Sequence, residues 1–400
     1  MLQKLPVFIL LALTTFLGAC TSSTKPSGHL VIVGGGLEDD NAAVFTRFVE
    51  LCSDGPIGIV PTASGDGLEA GEHSAARWRK WAGTREVVVI PLTQFDAAKA
   101  GDPAIITQID ACGGLWFTGG DQSRIVAVFR PEGKDTPAMQ AVRRVLDKGG
   151  VVGGTSAGAA MMSDPMITGG RWSRDITAND DNDPPRVTTG PGLGLFTSGM
   201  TDQHFLERAR MGRLIEALLE TNTQIGYGVS ENCALVVDRS RGIGEVIGDL
   251  GVCVVLCGKF QGEPRESTPW TRVSLLSDGD RVLVDSGWVL DNPEWIEKQS
   301  ALRLEWIHYS RSPWSRATIG QVRRLLWDGW GTIMLTRGKT DIMLNRDELT
   351  RVWSRGERND PVTIADLQLR IFAESRPREG TKEGRDTEGT PSPASLPGRS

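Results

Sequence analysis

The 400-residue chain is long enough for one large domain and a smaller companion around an ample apolar core. Its 39% hydrophobic and 24% charged residues are an ordinary globular balance, and a net charge of -6 with no basic stripe excludes a nucleic-acid binder. No apolar run reaches the ~20 residues of a membrane-spanning helix.

Taken in order, the chain opens with an apolar run from Pro6 to Ala19 that follows Lys4 and ends at Leu17-Gly18-Ala19-Cys20. A basic start, a short apolar stretch and small residues at its end have the shape of an export signal. Leu-Gly-Ala-Cys also resembles the bacterial lipoprotein processing box. That resemblance implies cleavage before Cys20, a lipid on its sulfur, and an exported chain anchored to a bacterial membrane. The alternative is an ordinary secretory signal that ends near a cysteine. Residues 21–28, rich in Ser and Thr, suit a tether.

His29 to Val33 reads as a buried strand, and Gly34-Gly35-Gly36 turns it towards a helix starting near Asn41. A dinucleotide-binding G-x-G-x-x-G is not completed, because Asp39 stands in the third glycine's place. Further strands are expected at Ile57–Val60, Glu86–Ile90, Leu115–Phe117 and Val151–Val152, with a helix carrying Trp78 and Trp81 between the first two. Strands separated by helical stretches imply βαβ units and a mostly parallel sheet covered on both faces. Ligands bind such sheets at the carboxyl ends of the strands. Two glycine-rich stretches fall there: Thr118 to Gln122, and Gly154-Thr155-Ser156-Ala157-Gly158. The second is a full G-x-S-x-G, the sequence of a sharp strand-to-helix turn that raises its serine beside a helix N-terminus. Taken alone it reads equally as a glycine-rich packing turn. A short strand from Leu193 to Met200 then leads to His204 at a helix start, with Arg210 and Arg213 three apart on one helix face.

Five blocks in this order resemble the cyanophycinases, serine peptidases related to the α-aspartyl dipeptidases. They are Phe117 to Arg124, Gly153 to Ala159, Met162 to Ile167, Asp202 to Phe205 and Gly226 to Leu235. The resemblance covers about residues 29–262. It implies an α/β fold of the flavodoxin-like three-layer kind, as in class I glutamine amidotransferases. It also implies an exopeptidase that attacks an aspartate backbone carrying arginine and releases β-aspartyl-arginine dipeptides. The alternatives are an aspartyl or isoaspartyl dipeptidase of the same family, or a non-catalytic binding lipoprotein.

A serine hydroxyl is a poor nucleophile until a base takes its proton and a third group orients that base. Ser156 is the nucleophile of this reading. Of the four histidines, His29, His73, His204 and His308, only His204 sits in a family block. Glu231 matches the family's third member. Its rivals are Asp175 and Asp180, with Asp181 and Asp183, in a long Asp-, Pro- and Gly-rich loop. The N–H groups of Ala157 and of the Gly119-Gly120-Asp121 turn are the expected oxyanion donors. The resemblance makes Gln122 and Gln203 substrate contacts, gives Arg210 and Arg213 a substrate carboxylate, and sets Asp202 against a substrate guanidinium. No second histidine or cysteine stands at metal-ligand spacing from His204, so neither metal nor cofactor is expected. The expected partners are a peptide or cyanophycin-like polymer and the membrane beneath the anchor; a homodimer is left open.

Apart from Cys20, the cysteines are Cys52, Cys112, Cys233, Cys253 and Cys257, an odd set that reads as buried thiols. Past residue 262 the resemblance stops. Residues 263–375 carry eight of the twelve tryptophans, from Trp270 to Trp353, and read as a small α+β region. Residues 376–400 have almost no apolar side chains and read as a disordered tail.

Overall fold

The computed structural model describes residues 27–170, 187–248, 251–258 and 271–291, then 296–297, 304–308, 316–328, 332–337, 340–346, 349–354 and 362–372. The signal and Cys20, most of the tether, the acids Asp175, Asp180, Asp181 and Asp183, and the tail from 376 lie outside the described residues.

In chain order the first strands are β1 His29–Val33, β2 Ile57–Val60, β3 Val87–Val89, β4 Gly114–Phe117, β5 Val151–Thr155, β6 Met166–Gly169 and β7 Thr188–Gly190. Next come β8 Met200–Asp202, β9 Ile225–Val229, β10 Ala234–Asp238, β11 Ile243–Ile247, β12 Val252–Cys257, β13 Thr271–Leu276, β14 Arg281–Leu283 and β15 Trp288–Val289. The last are β16 Ile296–Glu297, β17 Leu304–His308, β18 Thr332–Arg337, β19 Thr340–Asn345, β20 Arg351–Ser354 and β21 Val362–Phe372. The α-helices are α1 Ala42–Leu51, α2 Leu68–Arg79, α3 Pro103–Asp110, α4 Gln122–Phe129, α5 Pro137–Asp147, α6 Ala157–Ala160, α7 Met211–Thr221 and α8 Arg316–Trp327.

Strands β1, β5, β4, β2 and β3 lie side by side in that order, all parallel. Residues two apart on a strand share a face. Val31, Val33, Ile57, Ile59 and Trp116 therefore pack under Phe45 and Phe48 of α1 and Trp78 of α2. Leu30, Ile32, Leu115, Phe117 and Val152 meet the other side, against Ile105, Ile125, Met139 and Val142 of α3, α4 and α5. This is the flavodoxin-like three-layer sandwich. Local chemistry starts its helices cleanly: Asn41, Asp102 and Thr136 each cap a helix N-terminus with a side-chain oxygen, and Pro103 and Pro137 open α3 and α5.

Only half of this sheet is parallel. On the free side of β1 it continues antiparallel through β10, β11, β14 and β15. Short turns join β10 to β11 and β14 to β15, so no crossover helix sets a common direction within either pair; between β11 and β14 the chain visits the second sheet as β12 and β13. A second sheet runs β17-β18-β19-β21-β13-β12-β9-β8, with β20 beside β21 and β16 beside β20. Its β8 and β9 are parallel. The two sheets pack face to face: Leu235, Val246 and Val282 of the first share a core with Tyr227, Val229, Val254 and Leu276 of the second. Helices α7 and α8 cover the second sheet's other side through Leu214, Leu218, Ile319 and Val322.

Residues beyond 263 therefore complete both sheets, β13 against β12 and β14 against β11. The expected boundary at 262/263 marks no break in either sheet. The expected strand Leu193–Met200 is also absent; the strand there is β8, which begins at Met200. Gly194 and Gly199 interrupt that stretch. Leu193 and Leu195 donate their N–H groups to Met161 and Met162 carbonyls instead, so Leu193, Leu195 and Phe196 fill the core from a loop. All five cysteines of the described residues are buried and none forms a disulfide there. Burial pushes the Cys52, Cys112 and Cys253 thiols up to about 12, so they stay protonated at neutral pH.

Candidate active site

The register of the parallel strands sets Val33 opposite Thr155 and Phe117 opposite Gly154. The glycines after β1 and those after β4 thus flank Ser156, which follows β5. Ser156 holds φ +54°, in the left-handed region that costs a non-glycine residue about 1–3 kcal/mol. Its neighbours over-determine that conformation. Its N–H donates to Val33 O at 3.0 Å, and its own carbonyl accepts from Ala159 and Ala160 at 2.9 and 3.0 Å. A Cβ on Gly154 would come within 2.5 Å of Gly158 O, and one on Gly158 would stand 3.0 Å from Phe117 Cβ. Both glycines of the G-x-S-x-G are therefore demanded by backbone crossing, and Ser156 is left at the apex.

The second sheet brings the base and the acid. β8 and β9 run parallel with Asp202 opposite Gly228, so the turns after them emerge side by side. His204 sits in the first turn at φ +48°, not at a helix start; α7 begins only at Met211. Its N–H donates to Gly34 O at 2.6 Å and the next N–H, of Phe205, donates to Val229 O at 3.1 Å. The Phe205 ring occupies the space a Cβ on Gly228 would take. In the second turn, Asn232 holds φ +55° and donates its N–H to Gly35 O at 2.8 Å. Its Oδ1 accepts from Asn41 Nδ2 at 2.8 Å and from Glu38 N at 3.0 Å.

These turns place Ser156 Oγ 2.8 Å from His204 Nε2, while His204 Nδ1 is hydrogen-bonded to Glu231 Oε1. A carboxylate accepts only, so the ring proton belongs on Nδ1 and the Nε2 lone pair faces the hydroxyl. Burial lowers the His204 pKa, with Arg208 and Arg210 acting the same way, against the opposing pull of its bond to Glu231. The imidazole therefore stays neutral to a pH below its ordinary range. A neutral imidazole within hydrogen-bond reach of a hydroxyl is able to take its proton.

The glycines after β1 form the floor of this site. Gly35, at φ +108°, lies so close beneath the ring that a Cβ there would come within 2.6 Å of His204 Nε2. A Cβ on Gly36 would stand 3.0 Å from Glu231 Oε2. The triple glycine that weakly suggested a nucleotide loop thus packs against the imidazole and the carboxylate.

Several expected substrate contacts lie elsewhere in the bonding. Asp202 and Arg213 are both buried and hold one another: Nε donates to Oδ2 at 2.8 Å and Nη2 pairs with Oδ1. This corrects the expectation that Asp202 meets a substrate guanidinium and Arg213 a substrate carboxylate. Two charges taken out of water are tolerable only when paired, and here each is the other's partner. Arg210, the residue before α7, donates to Gln203 O and Oε1, both at 2.7 Å. Burial lowers its pKa to about 10, so it remains a cation beside the site at neutral pH. Gln122 donates its amide nitrogen to Ile167 O and Thr168 O at 2.8 and 3.2 Å. Asp121 is removed from the expected oxyanion donors. Its N–H donates to Ala63 O at 3.0 Å and its carboxylate caps α4. Gly119 is the part of that turn nearest the serine: a Cβ on it would lie 3.5 Å from Ser156 Cβ.

A family model described as peptidase family S51 matches residues 30–243, a span that holds Ser156, His204 and Glu231. The chain belongs to peptidase family S51. As an S51 member it is a serine-type peptidase. It is similar to a cyanophycinase of Geminocystis herdmanii, 30% identical over 264 residues that cover 63% of this chain and 92% of the relative. It is also similar to one of Synechococcus elongatus, 31% identical over 277 residues covering 64% and 79%. Among solved structures, this S51 chain is similar to a peptidase from an acI-B1 Actinobacterium at 21% identity. The match has a TM-score of 0.46 and covers 64% of this chain and 97% of that one.

Proposed function

We propose that this S51 peptidase is a cyanophycinase-like exopeptidase acting through Ser156, His204 and Glu231. The observation that carries the reading is the unbroken hydrogen-bonded line from Ser156 Oγ through His204 to Glu231. In this reading Ser156 Oγ attacks a main-chain carbonyl of an aspartate backbone as Nε2 takes its proton. The proton then goes to the leaving amine, and water, activated by the same nitrogen, releases the acyl group. Glu231 stabilises the imidazolium formed in between. Ala157 N–H, next to the nucleophile, and the Gly119-Gly120 backbone are assigned to the oxyanion. Arg210, a cation beside the site that stands 3.8 Å from Asp202, is assigned to a substrate carboxylate. The products are β-aspartyl-arginine dipeptides. The relatives named cyanophycinase support that substrate, and the Leu17–Cys20 box supports an exported, lipid-anchored setting.

Digestion of purified cyanophycin followed by mass analysis of the products tests the reading. β-Aspartyl-arginine is expected from the wild type, and Ser156→Ala is expected to lower kcat at least about 10⁴-fold. Turnover of small aspartyl peptides with the polymer left intact would instead make the protein a dipeptidase. An active Ser156→Ala would remove the serine mechanism altogether.

A further inference from the structure

We infer that Glu207 is a positioning residue for the acid of the triad, an inference that rests on the catalytic reading above. Glu207 lies three residues after His204 in a turn closed by its own main chain. Arg208 N donates to His204 O at 3.1 Å and Arg210 N to Phe205 O at 2.9 Å. From that turn the Glu207 carboxylate reaches the neighbouring one, where its Oε2 accepts the main-chain N–H of Glu231 at 3.0 Å. One turn therefore supplies the imidazole and also grips the backbone of the residue whose carboxylate orients it. The other Glu207 oxygen, Oε1, is buried without a hydrogen-bond partner among the described residues.

Glu231 needs such a grip. Its side chain is about a third exposed, and only one of its oxygens meets the imidazole. On its far side, Asn232 is held by Asn41, Glu38 and Gly35. On its near side, the tie is Glu207. With both sides fixed, the Glu231 backbone, from which the carboxylate reaches Nδ1, cannot shift without breaking these bonds. Positioning at that precision is kinetically visible, because a displacement of about 1 Å can cost on the order of 100-fold in rate.

The test compares Glu207→Ala, which removes the acceptor, with Glu207→Gln, whose amide oxygen still accepts the N–H. Glu207→Ala is expected to lower kcat on cyanophycin by about 10- to 100-fold with KM unchanged. Glu207→Gln is expected to stay within about threefold of wild type, since a neutral acceptor is weaker but equally placed. The second readout needs no substrate: the low-field proton resonance of His204 Nδ1–H, present in wild type and Glu207→Gln, is expected to broaden or shift in Glu207→Ala. Should Glu207→Ala fail to fold, Glu207→Asp, one methylene too short to reach, replaces it with the same expected outcome. Wild-type kcat and an unmoved resonance in the shortened variant would overturn the assignment, as would Glu207→Gln matching Glu207→Ala in both. An active Ser156→Ala would defeat the catalytic reading instead, while the resonance comparison would still decide what Glu207 holds.

Discussion

The turns after β1, β5, β8 and β9 and the ladders β13, β19 and β21 are built on similar buried apolar strands, yet they are finished differently. At the turns, Ser156, His204 and Asn232 hold φ between +48° and +55°, and glycines stand wherever a Cβ would meet backbone or a ring. Along β19 and β21 the chain pairs in uninterrupted register from Asp341 opposite Phe372 to Asn345 opposite Gln368. Among the described residues, the later strands have one irregularity, where the β13–β21 register shifts between Val273 and Leu275 and Asp366 of β21 holds φ +58°, and one notable side-chain cluster, at the Arg351 guanidinium. It lies 4.9 Å from the Trp288 ring and 5.1 Å from the Trp353 ring, is paired with Asp291, and donates to Val289 O at 2.8 Å. That cluster ties one sheet to the other. The difference separates chemistry from support: three left-handed residues and the close approach of glycines gather around the hydroxyl and imidazole, while the later strands, which hold β12 and β9, depart from regular pairing only near Asp366 and Val273.

Substitutions on the two sides can sharpen or break this contrast. Away from the triad itself, Gly35→Ala is expected to have the largest kinetic effect, because the new Cβ overlaps the His204 ring and φ +108° suits only glycine. A fall in kcat of about 10²-fold or more is expected by steady-state assay, with the far-ultraviolet circular dichroism spectrum retained. Wild-type turnover would mean the floor is not a floor. Arg213→Ala comes next and strikes stability. It takes from the buried Asp202 carboxylate its two-pronged partner and leaves it the Gln203 N–H and Arg210, 3.8 Å away; a loss of about 3 kcal/mol is expected by denaturant unfolding. Replacing both residues with alanine is expected to cost less than Arg213→Ala alone, and a double cost equal to the sum of the two single costs would show that the pair is not coupled.

The third test is pH. Burial lowers the His204 pKa, and the neutral form is the base, so kcat/KM should hold as pH falls through 6.5 and drop only below it. An acidic limb centred above 6.5 would contradict the buried imidazole. Trp288→Ala should do least: Trp288 is 47% exposed, and an exposed cation–π contact contributes about 0.5–1 kcal/mol. A kcat change beyond about twofold would place the tryptophan-rich strands in the chemistry and end the contrast.

Much of this contrast was legible in the residues. The turn at Ser156 was readable because its cause is local: five consecutive residues carry both glycines that the crossing needs. The parallel strands were readable from apolar runs between helical stretches, and His204 and Glu231 from blocks whose order matches a family. What stayed hidden depends on contacts between residues far apart in the chain. Nothing near Gly35 announces an imidazole 169 positions later. Two arginines three apart look alike until the fold gives Arg213 to Asp202 and Arg210 to Gln203. The Asp121 N–H looked available because Ala63, which takes it, belongs to another strand's loop. The later strands looked like a separate unit because their tryptophans mark a change in composition, and composition does not report which strand pairs with which.

The pairing of β12 with β13 bears on how the protein can be cut. A fragment ending at residue 262 would keep every residue of the hydrolytic centre, yet it would leave β12 with a bare row of N–H and C=O groups where β13 had been. Such an unprotected border invites another chain to dock on it. Trimming to the family's shared span would thus trade a closed pair of sheets for a sticky ribbon, with the imidazole and its carboxylate hanging from the piece that lost its neighbour.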